Sequence, residues 1–278
     1  MKLKKWQVVG FYLINILLVL AFVAPIVWTL MTSLKPTDQI LTYPPELLPR
    51  QITFEHYRTL LTVNGGEFMR YAVNSLIVTS GTILVVMAVS SLAGYAFAYL
   101  RFPGINIFFI SILATMMVPF QSLLIPLYGF MHRMGLLNSY FGLILIYSTF
   151  QLPFCVFMMR NTFSALPASL RESALLDGCT EAQVFTKIYL PLSLPGFATV
   201  LVYSFMTSWN EFLMALTFNS SAKVQTIQVG LTNYYLSRYR TNWEMITSGS
   251  IITMIPVLIV FFILQRYYVR GLTSGAVK

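Results

Sequence analysis

Read from the amino terminus, apolar positions gather into six long stretches separated by polar segments. They lie at roughly 9–31, 71–99, 106–131, 139–159, 196–217 and 248–267. A bilayer core takes about 20 predominantly apolar residues per helix, so the pattern predicts an all-α membrane protein with six transmembrane helices. Met1 to Lys5 could open a signal peptide, but no small-x-small cleavage site follows and the apolar run continues to Met31, so a retained first helix is expected. An even number of spans puts both termini on one side. Lys2, Lys4 and Lys5 at the start, with Arg266, Arg270 and Lys278 at the end, assign that side to the cytoplasm.

Prolines interrupt this pattern. Pro119 and Pro126 fall in the third stretch, Pro153 in the fourth and Pro256 in the sixth. Each removes a backbone donor, which a membrane helix tolerates where neighbouring helices or an aqueous cavity satisfy the freed carbonyls. Two readings stand side by side: packing kinks, or bends along a translocation path. Gln121, Gln151, Asn210 and Glu211 are polar residues inside spans and are expected to face protein or a water-filled path instead of lipid.

Composition agrees with a bilayer setting. The 278 residues are 57% hydrophobic, 15% aromatic and only 10% charged, against about a quarter charged in a soluble chain. The net charge of +9 comes from Lys and Arg scattered between apolar segments, which reads as membrane topology and excludes a nucleic-acid face. Cys155 and Cys179 have no metal-ligand spacing and imply neither a disulfide framework nor a zinc site. His56 and His132 lie outside the spans, and no catalytic or metal-binding cluster and no phosphate-binding loop occurs. The chain therefore reads as a non-enzymatic membrane protein with no metal site. An ion-coupled secondary transporter is a rival, but it calls for an internal repeat or several buried carboxylates, and Glu211 stands alone.

The longest loop on the cytoplasmic side, and the most polar stretch on that face, is RNTFSALPASLRESALLDGCTEAQVFTKIYLPLSLPG, at about 160–195. Pro167 suits the first turn of a helix, Glu172 lies near its positive end, and Gly178 can terminate it. From Glu181 to Tyr189 a second helix is expected, with Val184, Phe185 and Ile188 as its apolar stripe. A helix, a sharp turn and a second helix result. On chain physics alone this hairpin either rests on lipid headgroups or docks on a partner.

Glu172, Ala174 and Gly178, then nine residues, then Ile188, Leu190 and Pro191 resemble the EAA-x3-G-x9-I-x-L-P signature of binding-protein-dependent ABC importer permeases, with Ser173 in place of the first alanine. MMVPFQSLLIPLY at 116–128, GLLNSYFGLIL at 135–145, SWNEFLMAL at 208–216 and RGLTSGAVK at 270–278 resemble the carbohydrate branch, similar to the second membrane subunit of the maltose importer. The resemblance covers nearly the whole chain and is weakest before residue 70.

It implies a type I ABC importer permease fold in a bacterial or archaeal inner membrane. The expected layout is a first transmembrane helix over 1–32, an extracytoplasmic loop over 33–70, a core over 71–270 and a cytoplasmic tail over 271–278. By resemblance, Glu172, Ser173, Ala174, Asp177, Gly178, Ile188, Leu190 and Pro191 couple to an ATPase. Gln121, Gln151, Asn210 and Glu211 become candidates for the translocation path. Tyr234, Tyr235, Arg238, Tyr239 and Trp243 become candidates for docking a binding protein. The implied partners are a second homologous permease, two cytoplasmic ATPase chains that use ATP and Mg, an extracytoplasmic solute-binding protein, membrane lipid and a sugar. No cofactor is expected on this chain. A non-sugar solute such as glycerol phosphate stays open as an alternative.

Overall fold

The computed structural model describes residues 5–62, 65–235 and 241–274, and among them the regular elements are helical throughout. The chain divides into two compact units, Met1–Met69 with Gly230–Ile255 and Arg70–Val229 with Pro256–Lys278. The first unit opens with α1 (Lys5–Ser33), whose apolar side chains from Trp6 to Trp28 are largely exposed, as expected of a helix surrounded by lipid or by another chain. The short helices α2 (Thr37–Ile40) and α3 (Glu55–Thr62) follow. Lys35 anchors the segment after α1. It is almost fully buried, its ammonium lies 5.1 Å from the centre of the Trp28 ring, and its carbonyl oxygen hydrogen-bonds His56 Nε2 at 2.8 Å.

Helix α4 (Glu67–Tyr99) is long enough to cross a bilayer without interruption. The third apolar stretch is not. It folds as α5 (Ile105–Ala114), a 3-10 turn over Thr115–Met117 and α6 (Phe120–Arg133), with a 99° bend between the two halves. The interruption expected in the stretch 106–131 thus falls at Pro119, and it is a sharp bend between two helices. Pro119 cannot donate to the helix ladder and forces Val118 into an extended conformation, φ −86° and ψ 115°. Pro126, Pro153 and Pro256, by contrast, sit inside continuous helices.

Helix α7 (Tyr140–Ser164) starts where Ser139 Oγ accepts from Gly142 N, and it runs further than the apolar pattern suggests. It packs closely on α4: a Cβ placed on Gly94 would lie 2.7 Å from Met159 Cβ and 2.8 Å from the Arg160 amide nitrogen. The hairpin follows, as α8 (Ser169–Leu176), α9 (Glu181–Gln183), a π-helical stretch over Val184–Tyr189 and α10 (Leu190–Leu192). A 76° bend then leads into α11 (Leu194–Trp209). Sixteen residues of α11 fall short of a bilayer core, and α12 (Leu213–Phe218) extends the fifth span after a three-residue break. Helices α13 (Ile227–Tyr235) and α14 (Trp243–Ser274) complete the chain. Among the described residues four helices are long and apolar enough to cross unbroken, and counting each bent pair as one span gives up to six.

Candidate functional site

The hairpin between α7 and α11 is built from two local stop signals. At the end of α8, Cys179 N donates to Ala174 O at 3.0 Å and Gly178 N donates to Leu175 O at 3.1 Å. These bonds form a Schellman closure that satisfies carbonyls the helix leaves free. Gly178 has φ +86°, a conformation that costs a residue with a side chain about 1–2 kcal/mol, yet nothing lies within 4 Å of where its Cβ would be. Glycine is required by the turn, and the space around it is open to another molecule. The second leg then starts with a capping box, in which Thr180 Oγ1 accepts from Gln183 N and Gln183 Oε1 accepts from Thr180 N.

The apolar stripe of the second leg faces the protein. Val184 and Tyr189 are fully buried, and with Ala174 they join Val86, Tyr95, Cys155, Met159, Phe163 and Val200 in one cluster, against which Phe185 and Ile188 pack. The stripe is thus spent on α4, α7 and α11. The polar tip at Glu172, Ser173, Asp177 and Gly178 stays exposed, and Leu176 beside it is 88% exposed. Leu190 is half-buried and Pro191 exposed where the leg turns towards α11. Glu172 borders a polar cleft of about 390 Å³ together with Arg101, Tyr99 and Arg171.

Three tyrosines and one ion pair fasten the hairpin to the helices beneath it. Tyr99 donates to Phe163 O at 2.6 Å, and Tyr189 donates to Pro167 O at 3.0 Å. Tyr95 donates to Glu181 Oε2 at 2.9 Å, and the same carboxylate receives Arg171 through Nε at 3.2 Å and through Nη2. The two-point contact to Arg171 holds the Glu181 carboxyl below its ordinary range against an opposing effect of burial, and it raises the Arg171 guanidinium in turn. Arg171, Glu181 and Tyr95 were not singled out by sequence. Thr180-x-x-Gln183 could have been, since it carries the capping-box spacing, whereas the ion pair bridges legs whose facing is set only by the turn.

The polar residues of the spans divide. Gln121 and Asn210 are exposed on this chain, and Asn210 Nδ2 donates back to Met206 O at 2.9 Å. Gln151 is buried between helices and donates to Ser208 Oγ at 2.9 Å, while its Oε1 has no hydrogen-bond partner. Glu211 is occupied by structure. Its carboxylate accepts from Met214 N at 2.8 Å, Ala215 N at 2.9 Å and the Tyr147 hydroxyl at 2.9 Å, so it caps α12 across the break in the fifth span. The geometry thus draws Gln151 and Glu211 into helix packing and leaves Gln121 and Asn210 facing outward.

Of the aromatic cluster near α13, Trp243 is half-exposed at the start of α14. Tyr234 and Tyr235 belong to α13, while Arg238 and Tyr239 lie outside the described residues. The segment leading into α13 is pinned. Asn74 Nδ2 donates to Lys223 O and Gln225 O, Asn74 Oδ1 accepts from the Tyr140 hydroxyl, and Ser75 Oγ accepts from Ile227 N.

Residues 87–274 match the family described as binding-protein-dependent transport system inner membrane component. The diacetylchitobiose uptake system permease DasC of Streptomyces coelicolor is 36% identical, with 95% of this chain and 94% of that protein aligned. The arabinooligosaccharides transport permease AraQ of Bacillus subtilis is also 36% identical, over 94% and 92%. The trehalose transport permease SugB of Mycobacterium tuberculosis is 34% identical, over 91% and 92%. In structure, a chain of a bacterial ABC transporter that imports the acidic polysaccharide alginate superposes with a TM-score of 0.85 at 23% identity, covering 96% of this chain and all of that one.

Proposed function

The chain belongs to the family of inner-membrane components of binding-protein-dependent transport systems, and from that premise we propose that it forms half of the translocation path for a sugar or oligosaccharide. It is a multi-pass membrane permease subunit of an ABC importer, not an enzyme, and ATP hydrolysis resides in separate subunits. Relatives named for diacetylchitobiose, arabinooligosaccharides and trehalose support a carbohydrate cargo.

The observation that carries the mechanism is the exposed tip of the hairpin. A glycine in a left-handed turn, with open space around it and Glu172, Asp177 and Leu176 alongside, stands on a buried aromatic base. Such a tip can enter a cleft of an ATPase while its base transmits motion to α4, α7 and α11. The complete assembly in this reading holds a second homologous permease, two ATPase chains that use ATP and Mg, and a solute-binding protein outside. Both termini and the hairpin lie in the cytoplasm, in keeping with the distribution of Lys and Arg in the short segments. Gln121 and Asn210, polar and exposed within apolar segments, are assigned to the path or to the seam with the second permease. Trp243 with Tyr234, Tyr235, Arg238 and Tyr239 is assigned to the surface that meets the binding protein.

The test is reconstitution of the complex in liposomes, with ATPase stimulation read for the cognate binding protein loaded with each of a panel of sugars. A carbohydrate among the stimulating ligands is expected. Stimulation by glycerol phosphate alone would move the cargo to the non-sugar alternative. Gly178→Trp, which fills the open space at the tip, is expected to abolish ATP-dependent uptake with membrane insertion normal, and native uptake by this variant would remove the hairpin from the ATPase contact.

A further inference from the structure

We infer that Arg171, Glu181 and Tyr95 form the junction that makes the hairpin move as one lever with α4, so that Glu181 is a positioning residue for coupling. The inference rests on the reading of the hairpin as the ATPase-docking element. Its ground is the mechanics of the tip. The chain joins the two legs through the short turn from Asp177 to Cys179, where Gly178 has φ +86° and nothing lies within 4 Å of where its Cβ would be; behind the turn Ala174 packs with Val184 and Tyr189. The second leg passes directly from the capping box into π-helix, a rare winding that occurs mostly as single turns inside α-helices. A push applied to such a tip would be absorbed by flexing of the turn, or by slippage between π and α winding, before it reached a span.

The junction removes that freedom. Arg171 is on α8 and Glu181 is the first residue of α9, so their two-point contact locks one leg to the other across the turn. Tyr95, in the last part of α4, adds its hydroxyl to the same Glu181 oxygen that takes Arg171 Nε. One carboxylate therefore joins three helices. The rings behind it make the joint stiff: Tyr95 lies 5.1 Å from Phe185, 5.6 Å from Tyr189 and 5.7 Å from Phe163, ring centre to ring centre. Tyr99 ties α4 to the end of α7, and Tyr189 ties the second leg to Pro167 ahead of α8, both at the base of the hairpin and away from its tip. Glu181 is the one side chain among these that joins α8, α9 and α4 by hydrogen bonds, and it does so next to the tip.

The experiment uses the assembled importer in liposomes, with uptake and ATP hydrolysis measured on the same preparation. Glu181→Gln keeps the size and one acceptor but loses the charge, and Tyr95→Phe removes only the hydroxyl. Glu181→Gln is expected to lower uptake per ATP hydrolysed by about five-fold or more, the low end of ordinary coupling energies, with ATPase subunits retained. Tyr95→Phe is expected to give a smaller fall of the same kind. Exchanging the charges, Arg171→Glu with Glu181→Arg, should recover part of the ratio, because it restores the link between the legs but not the Tyr95 bond. A native uptake-to-ATP ratio in Glu181→Gln overturns the inference, as does a loss of assembly in Glu181→Gln that the exchange leaves unrepaired. Gly178→Trp, run alongside, separates the two readings. If it transports normally, the docking reading fails and this inference with it. If it is inactive while Glu181→Gln couples normally, only the junction fails.

Discussion

Glu181 and Glu211 each sit where the chain interrupts a helix, and they are held in opposite ways. Glu181, in the hairpin, is partly open to water and answers to a guanidinium and a phenol. Glu211, in the break of the fifth span, makes no ion pair among the described residues, and its oxygens take two amide groups from the first turn of α12 and the Tyr147 hydroxyl. Where water reaches, a charge met by a charge is worth about 1 kcal/mol at most, so the hairpin junction holds geometry more than it adds stability. Inside a span the unsatisfied amides at a helix start already demand an acceptor, and a carboxylate placed there serves the fold itself.

The sharpest way to break this contrast is Glu211→Ala. It leaves two amides and one buried hydroxyl without an acceptor, each costing roughly 1–3 kcal/mol, so the purified complex should lose roughly 3 kcal/mol or more. The measurement is thermal unfolding of the complex in detergent, where a fall of several degrees is expected. Glu211→Gln retains one oxygen and should lie between the variant and the native chain. An unchanged unfolding temperature together with an altered KM for uptake would return Glu211 to the translocation path. A smaller step tests the same cap from its far side. Tyr147→Phe removes one donor from a fully buried ring, and a loss of about 1 kcal/mol is expected by the same unfolding measurement. A loss as large as that of Glu211→Ala would mean that the phenol, not the amides, carries the cap.

The same contrast explains what could be read in the sequence. The hairpin is governed by near neighbours: Gly178 ends α8 through bonds to Ala174 and Leu175, and Thr180 caps the next leg through Gln183. Apolar blocks likewise announce the spans, because lipid imposes one length and one composition. The break in the fifth span is different. Glu211 reads as a lone polar residue in an apolar segment, and its partner Tyr147 lies 64 positions away on α7, a pairing that only the packed helices reveal. The bend at Val118 falls between these cases. Pro119 marked a discontinuity, but a kink and a 99° bend look alike in sequence, since the angle is set by what each half packs against.

The smallest expected effect comes from proton binding at the hairpin. Arg171 depresses the Glu181 carboxyl below its ordinary value of 4.5. A carboxyl with a lowered folded value stabilises the folded form above its unfolded value and loses that contribution as pH falls through the folded one. The junction should therefore be complete throughout the neutral range and should weaken only below about pH 4.5. The hairpin legs can be followed by amide exchange in the purified complex at pH 7, pH 5.5 and pH 4. After correction for intrinsic exchange rates, protection of the Thr180 and Gln183 amides, which the capping box holds, should match between the first two and drop modestly at the third. Glu181→Gln should show the weakened state at all three. A native chain that loses this protection between pH 7 and pH 5.5 would place the titrating group elsewhere. The two carboxylates would then no longer differ as charge-held and amide-held.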